Sequence, residues 1–134
     1  MTTPTDCWLT FSARDPRRLI SFLATAFGFA ELVVHGEGDR VDHAELATPG
    51  GRGGVMLGGL RENDNRGVAA PGQASAYVVV PDVDALFARA AAAGAEVLQA
   101  PFDTDYGSRD CALRDPEGNS WFFGTYPGTP LTPE

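Results

Sequence analysis

The chain has 134 residues, 18 acidic and 10 basic side chains and a formal charge of −8. That length suits one domain able to bury a sizeable core, and a hydrophobic fraction of 43% is ordinary for a globular protein. The acidic balance excludes a phosphate-backbone binder, which needs a basic stripe, and no apolar run reaches the roughly 18 residues of a membrane span.

The amino-terminal stretch "MTTPTDCWLT" has neither the basic nor the apolar region of a secretion signal, so a cytoplasmic protein is expected. Its two cysteines, Cys7 and Cys111, lie in strand-like runs and form neither a disulfide framework nor a metal cluster. The first strand is "CWLTFSA". Asp15-Pro16 then opens a helical pattern with Leu19, Phe22, Leu23 and Ala26 on one face, and Gly28 stops it. "GFAELVV" leaves the helix, the turn "HGEGDR" holds His35, and "VDHAELATPGG" and "GVMLGGL" supply two more strands. "RENDNRGVAAPGQ" is polar, contains Gly and Pro, and suits an exposed connection.

The same order then repeats. "ASAYVVV" precedes a helix opening at Pro81-Asp82, with Val83, Leu86, Phe87 and Ala90 on one face and Gly94 as its stop. "GAEVLQA", the loop "APFDTDYGSRD", "RDCALRDPEGN" and "SWFFGTY" follow. Asp15 and Asp82, Pro49 and Pro116, and Gly51 and Gly118 each stand 67 positions apart. The fold class predicted is α+β, two tandem βαβββ modules forming a curved mixed sheet with a concave groove. The modules span residues 6–60 and 73–127, joined by a linker over 61–72. The ends, "MTTPT" and "PGTPLTPE", are expected to fray.

"YGSRDCALRDPEGNSWFFGTY", from Tyr106 to Tyr126, is similar to the last hairpin of the glyoxalase/bleomycin-resistance branch of the vicinal oxygen chelate superfamily. "HAEL" followed by "VMLGG" is similar to its middle strands, and the resemblance covers roughly residues 5 to 127. It implies a homodimer with grooves shared between two chains. In enzymes of this superfamily, histidines and glutamates at four strand positions bind a divalent metal. Carried over, those positions are Trp8, Val55 or Met56, Ser75 or Ala76, and Phe122. These residue types do not hold a catalytic metal, so neither metal nor cofactor is expected and no residue is assigned as catalytic.

Rings at Trp8 and Phe122 instead suit an apolar cleft that stacks a flat ligand; the bland alternative is that they only fill the groove as core. Period-two alternation puts Val41, His43, Glu45 and Ala47 on one side of a strand. His43 and Glu45 read as polar pocket groups, a structural hydrogen-bonded pair, or proton or metal chemistry. Trp121, Phe123 and Tyr77 are expected in the core, with Ala76 and Val78 toward the groove. Further ligand contacts are expected from Thr10, Met56, Phe102, Tyr106, Arg109 and Cys111, although Arg109 has the alternative of pairing with a rim carboxylate. "GGRGGVMLGG" lacks the Gly-Lys-Ser/Thr ending of a phosphate loop, and no nucleophile elbow is present.

The expected partner is one small aromatic drug or natural product, with cationic character favoured by the acidic balance. Stoichiometric sequestration is the leading reading. The alternative is a glyoxalase-like lyase or isomerase, or a dioxygenase-type enzyme, and a third is a module that binds a metabolite as a signal.

Overall fold

The computed structural model describes residues 5–131, so Met1–Pro4 and Thr132–Glu134, which belong to the ends expected to fray, lie outside it. β1 (Trp8–Ala13), α1 (Pro16–Phe27), β2 (Ala30–Glu37), β3 (Arg40–Ala47) and β4 (Gly54–Gly59) form the first unit. β5 (Ser75–Val79), α2 (Val83–Ala92), β6 (Glu96–Asp103), β7 (Arg109–Arg114) and β8 (Ser120–Gly124) repeat it. The first sheet has the order β1-β4-β3-β2 and the second β5-β8-β7-β6. Each is mixed: β1–β4 and β5–β8 run parallel, and the other pairs antiparallel.

Local chemistry explains both helices. Asp15 and Asp82 cap them, accepting hydrogen bonds from the backbone N–H of Arg18 (3.2 Å) and Ala85 (3.0 Å). Pro16 sits in the first turn of α1, where its missing N–H costs nothing. Gly28, at φ 76°, ends α1 in the left-handed conformation that glycine adopts most cheaply.

The two units share one core. Leu19, Leu23, Ala26 and Phe27 of α1 meet Phe11, Leu46, Val55 and Leu57 of the first sheet and Val78, Leu113, Trp121 and Phe123 of the second. Phe27 is the hinge of the cluster, its ring 4.8 Å from that of Phe123 and 6.0 Å from Trp121. Phe11 meets Trp121 edge-on at 6.1 Å.

Polar ties lock the units together. Arg89 of α2 donates to the carbonyls of Thr25 (2.7 Å) and Ala24 (3.0 Å) in the last turn of α1, where Ala24 also accepts the Gly28 N–H. In the other direction, the Glu117 carboxylate accepts the N–H groups of Arg14 (2.8 Å) and Asp15 (2.9 Å). Behind it, buried Asp115 accepts from the N–H of Glu117 and Asn119, the Asn119 side-chain amide and the Trp121 indole. The turn "DPEGN" therefore both fixes Trp121 and holds the neighbouring unit.

Candidate functional site

Each sheet has an inner face on the shared core and an outer face away from it. In the first sheet, Leu9, Phe11, Ala44, Leu46, Val55 and Leu57 point inward. Strand alternation then sends Trp8, Thr10, Ser12, His43, Glu45 and Met56 outward. Register aligns Thr10, Met56, Glu45 and Val33 in one row across four strands. The next row is Trp8, Gly54, Ala47 and Ala30. The Trp8 ring lies down on Gly54: a methyl group there would overlap the ring. Its indole N–H donates to the Thr5 carbonyl at 3.3 Å.

His43 and Glu45 form a hydrogen-bonded pair, Nε2 to Oε2 at 2.7 Å, with both side chains part-exposed. The His35 ring stacks on His43 at 6.4 Å. His35, expected in a turn, is thus inside β2, directly across from His43. Val41 also departs from the simple alternation. A register shift at this end of β3 rotates it into the core, where it is 2% exposed, while His43 stays outward.

In the second sheet Tyr77, Phe122, Ala112 and Gln99 form one cross-strand row. Tyr77 and Phe122 are 42% and 40% exposed, so this row is the outer face. Val78 and Phe123 pair on the inner face, and Val78 is buried. The expected orientation of β5 is therefore inverted: Tyr77 faces out, while Val78 faces the core and Ala76 shares its inner side. Tyr77 donates to Asp110 at 2.9 Å, and burial pushes its hydroxyl pKa up.

Arg109 and Cys111 also sit on the inner side. Arg109 binds Asp84 through Nε (2.8 Å) and Nη2 (2.9 Å), and Asp103 through Nη1 (3.0 Å). It thus takes the carboxylate-pairing alternative and ties α2 to the end of β6. Cys111 is buried against β8, and desolvation pushes its thiol up to about 11. Neither belongs to an outer face. Phe102 pairs across from Asp110 and is exposed, and Tyr106 meets Tyr126 edge-on at 5.8 Å beyond it.

The structure thus gathers Trp8, Thr10, His43, Glu45 and Met56 on one outer face and Phe122 and Phe102 on another. The two sets belong to two separate sheets, with no strand of one hydrogen-bonded to a strand of the other.

Two depressions lie beside these faces. One, of about 750 Å³, lies between the β1–β4 side of the first sheet and β5. Leu9, Val55, Ala76, Val78, Val79 and Trp121 give it apolar walls, with Tyr77 at its side. Its size falls within the ~300–1,000 Å³ of drug-sized sites. The other, of about 240 Å³, lies on the first outer face against Thr10, Ser12, His43 and Met56, closed by Arg61, Arg66 and Val68. Alternation from Thr10 was the signal for Ser12. The linker arginines gave none, because a polar connection carries no address in a periodic pattern.

The metal positions of the resembling enzymes can now be tested by donor chemistry. On the outer faces they are Trp8, Met56, Ser75 and Phe122, a set of two rings, a thioether and a hydroxyl. That set does not fit a divalent cation. Among the described residues, no third His, Cys, Asp or Glu joins His43 and Glu45 in a group able to hold one.

The family model described as Glyoxalase/Bleomycin resistance protein/Dioxygenase superfamily matches residues 8–123. Among solved structures, TioX from Micromonospora sp. ML1 is similar at 34% identity over 85% of this chain and 92% of its own, with a TM-score of 0.71. A glyoxalase/bleomycin resistance protein from Streptomyces sp. CB03234 is 24% identical over 84% and 95%, TM-score 0.66. TnmS3, an antibiotic binding protein from Streptomyces sp. CB03234, is 22% identical over 91% and 97%, TM-score 0.67. Among curated proteins, none matches the chain.

Proposed function

The chain belongs to the Glyoxalase/Bleomycin resistance protein/Dioxygenase superfamily, and from that premise we propose that it binds a small aromatic drug or natural product and sequesters it without chemistry. The observation that carries this is the residue set Trp8, Met56, Ser75 and Phe122, where enzymes of this fold place metal donors. Rings and a thioether offer stacking and apolar burial instead of coordination.

The ligand's flat body lies against the outer-face rings, and the apolar depression between β1 and β5, which reaches Gly54 under the Trp8 ring, extends that surface. Leu9, Val55 and Trp121 line it, and Tyr77 and Val79 carry its wall onto the outer face of the second sheet. At ~25 cal/mol per Å² of apolar area, burying a multi-ring ligand there is enough for micromolar binding. The fold shared with TnmS3 supports the reading at the level of architecture.

The working form is a homodimer. Trp8 and Phe122 stand on separate outer faces of one chain, so a groove holding both needs the first sheet of one copy opposite the second sheet of another. The protein acts in the cytoplasm, where a captured drug is kept from its target.

Native mass spectrometry of freshly purified protein against a panel of aromatic antibiotics tests this. The expected result is a dimer carrying one unmodified ligand per chain. Turnover of an aldehyde or catechol with no stable adduct from any panel member would overturn it.

A further inference from the structure

The smaller depression has a character that neither the overall charge nor the sequestration reading accounts for. All ten basic residues of the chain are arginines. Arg40, Arg66, Arg109 and Arg114 are each paired to a carboxylate. Arg61 is not: among the described residues no carboxylate comes within ion-pair distance, and its guanidinium donates only to the Asp42 carbonyl, at 3.4 Å. It nevertheless lines the depression of about 240 Å³, where Met56 and Val68 supply the apolar side chains.

The other charges at this site are already matched. Arg66 is bound by Asp64, whose carboxyl it holds far below the usual range. The Asp42 carboxylate is taken by Arg40 at 3.1 Å, and Glu45 is taken by His43. Ser12 Oγ donates to the Ala69 carbonyl. What faces the depression unmatched is one guanidinium, with the exposed Thr10 beside it on β1.

We infer that this depression binds the carboxylate of an aromatic acid, with Arg61 as its anchor, so that the ligand class is an anion with a flat ring system. A guanidinium presents a planar fork that matches a carboxylate with two parallel hydrogen bonds. The apolar side chains of Met56 and Val68 beside it suit the ring that bears the acid. The space is below the ~300 Å³ of a whole drug site, so it holds one ring system with its acid group and not a complete drug. The sign of the ligand is thereby opposite to what the net charge of −8 suggested. The ring part of this inference rests on the sequestration reading, whereas the acid part rests on Arg61 alone.

A titration followed by nitrogen–proton NMR tests it, with naphthoate as probe and uncharged naphthamide as its match. Naphthoate is expected to move the amide signals of Thr10, Ser12, His43 and Gly58, and to bind about tenfold more tightly than naphthamide. Arg61→Gln should reduce naphthoate to the level of naphthamide. Arg18→Gln, at an exposed arginine outside both depressions, should change neither. Added salt should weaken naphthoate alone. Equal binding of the two probes, or an Arg61→Gln spectrum that titrates like the wild type, would overturn the inference. Naphthoate binding while every antibiotic fails would leave the acid subsite standing and sink sequestration. Antibiotic adducts with naphthoate silent would do the reverse.

Discussion

Asp115→Ala is expected to lower the unfolding free energy by about 3–5 kcal/mol, among the largest losses available to a single substitution in this chain. The carboxylate is 5% exposed and accepts four hydrogen bonds: Glu117 N at 2.9 Å, Asn119 N at 3.1 Å, Asn119 Nδ2 at 3.0 Å and Trp121 Nε1 at 2.8 Å. Truncation strands the indole N–H of a residue only 1% exposed and unties the turn that offers Glu117 to Arg14 and Asp15. The damage would therefore reach both units at once. Urea unfolding followed by tryptophan fluorescence measures it. Asp105→Ala, at an exposed loop carboxylate, should stay within about 0.5 kcal/mol. Equal midpoints for the two variants would show that the Asp115 cluster is not a keystone.

Trp8→Ala separates binding from folding. The ring lies on the outer face over Gly54, and the residue is only half-buried. Losing its stacking surface is expected to weaken ligand binding by about 10- to 100-fold, the equivalent of one aromatic contact. The thermal midpoint should move by no more than about 3 °C, since no enclosed cavity is left behind. Binding by calorimetry and melting by circular dichroism give the two readings. A large fall in melting temperature with unchanged affinity would make Trp8 an ordinary packing residue.

Much of the fold was legible because it is written twice. Asp15 and Asp82, 67 positions apart, both turned out to be helix caps, and Gly28 and Gly94 both follow helix ends in left-handed backbone. Trp121 and Phe123 fall in the core as alternation requires. The reading failed where the sequence does not alternate. "AYVVV" is apolar throughout, so only its pairing with β8, Tyr77 beside Phe122 and Val78 beside Phe123, decides which residues face out. Val41 was misdirected by a bulge, which breaks period two without leaving a mark in composition. Cys111 followed the parity expected of a strand, but that face is the inner one. Arg61 and Arg66 come from the connection between units, and nothing in a polar run tells which strand it will cover.

The same limit governs the site. Alternation placed His43 and Glu45 on one side of a strand, whereas Trp8 and Met56 came from the family resemblance; the register of the first sheet puts all of them on one face. Phe122 belongs to the other sheet, and pattern alone cannot say whether the two outer faces meet. His43 and Glu45 are hydrogen-bonded at 2.7 Å, a contact that the pocket-group and structural-pair readings share.

The account turns on what the outer faces do with a cation. Elemental analysis of the dialysed protein after incubation with nickel, zinc, iron and manganese is the direct measurement. Sequestration by rings predicts no metal retained in proportion to chain, with drug binding unchanged by chelator. One equivalent of bound metal that chelation removes together with drug binding would contradict it.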